Sequence, residues 1–187
     1  MRRGPLLALA LALAASAASC GEADETICPG EVVASFAFSG EKVPAGDPGL
    51  GGLDPVPAVP DCPDAVGYVD DPENADLRFQ ATLAGDPTTQ AAALCRPNGV
   101  VLYGQRSGSR YAVETATEGA VLDGCSATCS AALRLHVVGD VLGAGTSEVS
   151  FAGILVEVLT FVAGDCGTCL TEAAPSCAGR YTLTGSP

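Results

Sequence analysis

Tryptophan is absent from this chain, and histidine and methionine occur once each, as His136 and Met1. Five Phe and four Tyr are all the aromatic residues it has, which leaves little for stacking nucleobases or building a sugar platform. A serine triad would have to use His136, yet no Gly-x-Ser-x-Gly accompanies it. The segment Gly104-Gln105-Arg106-Ser107-Gly108 puts its serine at the wrong spacing. One histidine and no later methionine also speak against a copper carrier. Basic residues are scarce: nine Lys and Arg face 22 Asp and Glu, for a net charge of −13. That balance argues against nucleic acid or anionic lipid headgroups as partners.

What the chain does have begins at its front. Arg2 and Arg3 precede an apolar run over residues 6–18 that ends in small side chains. Thirteen residues at about 1.5 Å each span roughly 20 Å, short of a hydrocarbon core of about 30 Å, so an export signal is favoured over a spanning helix. Ala17, Ala18 and Ser19 lead directly into Cys20. This arrangement resembles the lipobox of bacterial lipoproteins, with Ala17 standing where leucine is usual. The resemblance covers the first twenty residues and implies that residues 1–19 are removed and that Cys20 is acylated as the new N-terminus. An ordinary signal peptide cut after Ala15-Ser16-Ala17 is the alternative. Gly21, in place of aspartate, carries the further implication of delivery to the outer membrane.

Removal of residues 1–19 leaves 168 residues and takes Arg2 and Arg3 away, so seven bases stand against 22 acids, or −15. Residues 20–76 hold thirteen of those acids and one base, Lys42; residues 77–187 hold nine acids and six arginines. The organisation expected is therefore a signal over 1–19, an acidic tether over 20–27 and one domain over 28–187. Setting Cys20 aside leaves eight cysteines, Cys28, Cys62, Cys95, Cys125, Cys129, Cys166, Cys169 and Cys177. An even number in an exported chain reads as a disulfide framework. The pairing expected joins Cys125 and Cys129 to two of Cys166, Cys169 and Cys177, and Cys28 to Cys62, leaving Cys95 for the remaining C-terminal cysteine.

Alternation with period two begins at Glu31, with Val32, Ala34, Phe36 and Phe38 on one face. Residues 40–76 break it with six prolines from Pro44 to Pro63, predicting a long surface excursion stapled at Cys62. Asp70, Asp71, Glu73 and Asp76 close that excursion without the spacing of a calcium loop. Leu77, Phe79, Ala81 and Leu83 then alternate with Arg78, Gln80 and Thr82. Pro97-Asn98-Gly99 predicts a hairpin turn, and further strands are read over 100–104, 111–116, 120–123 and 133–138. Residues 148–162 are nearly all apolar and rich in β-branched side chains, which suits a long central strand with a bulge at Gly153. Arg180–Thr184 supplies a last strand, Tyr181 and Leu183 facing in. The fold expected is all-β: a single antiparallel β-sandwich or jelly-roll-like domain, disulfide-stapled.

Three groups of residues have the types that chemistry uses. Cys166-Gly167-Thr168-Cys169 has the spacing of a dithiol redox site, but Pro175 allows at most one helical turn behind it. Cys125, Cys129, Cys166 and Cys169 match a zinc set in number, although an oxidising compartment favours bridges. Glu114 and Glu157 are the acids centred in strands and would be the pair for glycoside hydrolysis. The function expected is a lipid-anchored cell-envelope module, without cofactor or metal. It is structural or binds an envelope partner, and it contacts the membrane through Cys20. The alternative is an exported enzyme, either a carboxylate hydrolase or a thiol–disulfide exchanger using Cys166 and Cys169.

Overall fold

The computed structural model describes residues 28–62, 76–120, 129–166 and 175–187. Eight strands follow one another as β1 (Glu31–Lys42), β2 (Asp76–Gly85), β3 (Ala91–Cys95), β4 (Val101–Ser107), β5 (Arg110–Ala120), β6 (Ser130–Leu142), β7 (Ser150–Ala163) and β8 (Ser176–Ser186). Each pairs antiparallel with the next, and β1 pairs antiparallel with β8, so the sheet closes. The fold is an up-and-down eight-stranded barrel. The sandwich or jelly-roll expected from the alternation is thereby corrected. Period two reports which residues face a core but not whether one sheet curls onto itself or two stack.

Every strand sends apolar side chains into the interior: Phe36 and Phe38, Leu77, Ala81 and Leu83, Leu94, Leu102, Tyr111 and Val113, Val137, Phe151 and Leu155, Tyr181 and Leu183 are buried together. Eight strands enclose a lumen just wide enough for side chains to fill. Glycines on adjacent strands make room for the largest rings. A Cβ at Gly139 would lie 2.5 Å from Phe151 Cζ, and one at Gly185 would lie 2.8 Å from Phe38 Cε1. Phe38 and Phe151 meet edge to face, ring centroids 5.4 Å apart. Gly153 thus sits in regular register opposite Gly139, not in the bulge expected there.

The proline-rich stretch is ordered where it is described, as a strap over residues 43–62 across the outside of β7 and β8. A short 3-10 turn, Pro48–Leu50, is capped by Asp47, whose carboxylate accepts from the Gly49 amide at 2.7 Å. Leu50, with Val43, Leu53, Val56 and Val59, packs on the outward side chains of Ile154, Val156, Val158 and Ala178. Both faces of β7 are therefore covered, which is why its sequence is almost continuously apolar.

Among the described residues, three disulfides join Cys28 to Cys95, Cys62 to Cys177 and Cys129 to Cys166. The last agrees with the expected pairing. The expected Cys28–Cys62 bridge is not formed: Cys28 lies against β3 and Cys62 against the start of β8, so Cys95 is bonded to Cys28 and not to a C-terminal cysteine. Cys62, Cys177, Cys129 and Cys166 form one buried cluster with Ala131, Leu133 and Leu159, at the end of the barrel where β6 begins and β7 finishes. Cys20, Cys125, Cys169, the acids Asp70, Asp71 and Glu73, and residues 121–123 of the strand expected over 120–123 lie outside the described residues. Residues 110–120 form one strand with a register shift between Thr117 and Ala120, continuing past the end of the strand expected over 111–116.

Candidate functional site on the outer barrel wall

Turned outward, the same strands carry a different set of side chains. Ser35 and Thr82 hydroxyls lie 2.9 Å apart, Ser39 and Thr184 hydroxyls 3.1 Å, and Ser176 donates to Thr160 at 3.2 Å. Arg110 Nη2 stands 2.8 Å from Asp140 Oδ2, and that contact holds the Asp140 carboxyl below its usual range. The wall is thus apolar inward and polar outward.

Across β4, β5, β6, β7 and β8 the register places Tyr103, Glu114, His136, Val156 and Arg180 in one continuous row. The row beside it runs Ala116, Arg134, Val158 and Ala178, and the one on the other side Gln105, Ala112, Val138 and Ile154. Alanines at 112, 116 and 132 leave the surface low between Tyr103 and the strap at Pro55 and Val56. The result is a groove of about 940 Å³, lined also by Gln105, Arg134, His136 and Thr160. Tyr103 is 60% exposed, an unusual state for a large aromatic side chain in a strand.

His136 and Glu114 occupy the middle of the floor. His136 Nδ1 stands 3.1 Å from Glu114 Oε2, the imidazole nearly covered and the carboxylate open to solvent. Burial pushes the His136 pKa down; the Glu114 charge pulls against that, and Arg134 adds to the lowering. A neutral imidazole in this setting keeps its proton on Nδ1, toward the carboxylate, and leaves Nε2 as an acceptor.

The far wall is held by Arg180, whose side chain is fully buried between β8 and the strap. Its Nε donates to Asp54 Oδ2 at 2.6 Å and its Nη1 to Asp61 Oδ1 at 2.8 Å. Its Nη2 donates to the carbonyls of Val56 at 2.9 Å and Val59 at 2.7 Å. Asp61 carries two further hydrogen bonds, both from the Ala45 amide. A buried guanidinium so fully engaged fixes the strap, and with it the Pro55–Val56 edge of the groove.

The acids singled out from the sequence are not brought together. Glu114 faces outward into the groove; Glu157 faces inward, buried, opposite Leu135 and Gly179. The barrel wall separates them, so they do not flank a common cleft as a glycosidase pair must. Glu157 instead raises the pKa of Tyr181, which burial has already pushed up. Cys166 is bonded to Cys129, which takes it out of the dithiol and the zinc set read from its spacing with Cys169. Sequence reasoning missed Tyr103, Arg134 and the Arg180–Asp54–Asp61 lock. Tyr103 and Arg134 stood on the polar faces of their strands, and Arg180 stood one position before an inward tyrosine, where a charge ought to meet water.

No protein-family model, curated protein or solved structure matches this chain.

Proposed function

We propose that this chain is an exported, lipid-anchored cell-envelope module that binds a partner in the groove between Tyr103 and the strap. The observation that carries the reading is the polarity of the wall. A barrel that crosses a membrane is apolar outside and polar inside; this one is built the other way round, with Ser/Thr pairs and the Arg110–Asp140 ion pair facing out and phenylalanines filling the lumen. Such a body works in water and needs another attachment to stay at a membrane, which acylated Cys20 supplies. Cys28 is eight residues beyond Cys20 and is bonded to Cys95, so the barrel stays within about 28 Å of the bilayer. The three disulfides among the described residues agree with an oxidising compartment. The lumen is filled, and the groove on the outer wall lies open to a partner.

The test is the mass of the mature N-terminus together with fractionation of cells expressing the full chain. A diacylated fragment beginning at Cys20, membrane-bound protein, and release of Cys20→Ser into the soluble fraction are the results expected. Retention of Met1 with unbridged thiols would overturn the reading. A hydrolase is the second reading, favoured by the His136–Glu114 contact alone: Nε2 would take a proton from water. Loss of a measured hydrolysis in His136→Gln would establish it.

A further inference from the structure

We infer that the groove is the binding site of a neutral glycan chain. The inference rests on the binding-module reading and names the class of ligand. The depression is open along its length, with a floor of small side chains and two raised edges, a shape that receives a linear chain lying across the wall. One edge is the ring of Tyr103, 60% exposed; the other is the apolar Pro55–Val56 edge of the strap. Sugar rings present an apolar C–H face to such surfaces and hydroxyls around their rim. Among the described residues the groove offers one exposed ring, so the scarcity of aromatics in the chain does not exclude the site.

The polar groups decide the class. Between the edges stand an acceptor, Glu114, a donor fork, Arg134, and two groups that do both, Gln105 and Thr160. Hydroxyls also both donate and accept, and one sugar ring can satisfy donors and acceptors side by side. Net charge on the floor is close to zero, because Glu114 and Arg134 both line it and the Asp54 carboxylate beside the groove is spent on Arg180. A polyanion would meet Glu114 and an acidic protein, and a polycation would meet Arg134. An extended peptide docks by adding a strand to a sheet edge, and the ladder here is closed across every strand. A peptide helix needs a deep apolar trough, which alanines do not provide. The Arg180 lock sets the strap edge before any ligand arrives, which lowers the cost of binding.

The experiment is a titration of the isotope-labelled mature protein, residues 20–187, followed by amide shifts. The probes are cellohexaose and chitohexaose as neutral chains, a heparin hexasaccharide as an anionic one, and an uncharged ten-residue peptide. A neutral hexasaccharide is expected to move the amides of Tyr103, Glu114, Arg134 and His136. Tyr103→Ala should weaken it about tenfold or more, and Tyr103→Phe less than about threefold, since the ring and not the hydroxyl stacks. Tyr103 is exposed, so the thermal midpoint of both variants should match the parent and certify the fold. Movement of the same amides by heparin or the peptide alone overturns the glycan assignment and leaves the binding module standing. Neutral-sugar binding unchanged in Tyr103→Ala overturns the site. No movement by any probe overturns both readings.

Discussion

Arg180 Nε and Asp54 Oδ2 stand 2.6 Å apart, closing a contact between residues separated by 126 positions in the chain. One is on the last strand and the other on a loop that enters the sequence as a break between strands. Removing one partner of a buried ion pair leaves the other charge uncompensated, at a cost of about 3–5 kcal/mol. Asp54→Ala is therefore expected to lower the urea midpoint far more than Asp61→Ala, because Asp54 is almost completely covered and Asp61 is 40% exposed. The double variant Arg180→Met with Asp54→Leu should recover only part of the loss, since it removes the buried pair but leaves Asp61 and the Val56 and Val59 carbonyls without their donor. Equal effects of the two single aspartate variants would show that the lock is not centred on Asp54.

Much of the barrel wall was legible because burial on one side writes itself into alternation. Leu77, Phe79, Ala81 and Leu83 against Arg78, Gln80 and Thr82 gave β2, and Tyr181 and Leu183 were read as inward and are buried. Pro97-Asn98-Gly99 marks its hairpin, with Gly99 at φ 84° and the Arg96 amide donating to the Val100 carbonyl at 2.8 Å. Closure was not legible. It rests on Phe38 opposite Gly185 and Gly40 opposite Leu183, pairs more than 140 residues apart that no local pattern records. The partners expected for Cys28, Cys62 and Cys95 failed for the same reason, being set by which strand ends meet, whereas Cys129 pairs with Cys166 as expected. Glu157 was available: it takes its place between Leu155 and Leu159 in the inward set of β7, so alternation alone put it on the opposite face from an outward acid. The groove depended on the β4–β5–β6 register, which brings Tyr103, Glu114 and His136 into line.

The disulfides should separate into distinct losses. Non-reducing peptide mapping is expected to recover Cys28 with Cys95, Cys62 with Cys177 and Cys129 with Cys166. Replacing the Cys62–Cys177 pair by serines should cost about 2–5 kcal/mol in urea unfolding. It should also raise amide exchange along the strap, because Cys62 anchors the strap's far end next to the Ala178 backbone. The Cys28–Cys95 double variant should cost a similar amount and leave strap exchange unchanged. A Cys28–Cys62 peptide in the map would contradict the arrangement of strap and β3.

Overpacking should be felt most where glycine backs an aromatic ring. A Cβ at Gly139 would stand 2.5 Å from Phe151 Cζ, 2.6 Å from the Ala152 carbonyl oxygen and 2.7 Å from Gly153 Cα. Two of those neighbours are backbone and cannot swing aside, so Gly139→Ala is expected to destabilise by about 1–3 kcal/mol. The pair Gly139→Ala with Phe151→Leu should be less destabilised than the sum of its parts, since the smaller side chain vacates the ring's space. Additive losses would mean that the backbone, not Phe151, sets the constraint.

The partly buried imidazole gives the stability a pH dependence of known sign. His136 titrates in the folded protein below its ordinary value of 6.5, chiefly because burial disfavours its charged form. Well above that value the imidazole is neutral in both states and contributes its full share. As the pH falls below about 6.5 the unfolded chain takes up the proton before the folded one does, and stability is lost until the folded protein protonates as well. The difference in unfolding free energy between the parent and His136→Gln should therefore shrink in the parent's disfavour from pH 7.5 to 5.5. Its slope cannot exceed about 1.4 kcal/mol per pH unit, the limit for one proton. Taking the difference removes the carboxylates that titrate lower down. Glu114→Gln supplies the internal check: the Glu114 charge raises the His136 value against burial, so its removal should move the His136 titration, followed by proton resonance, to still lower pH. An upward move would mean that the 3.1 Å contact does not hold in solution, and the row that aligns the groove would have to be redrawn.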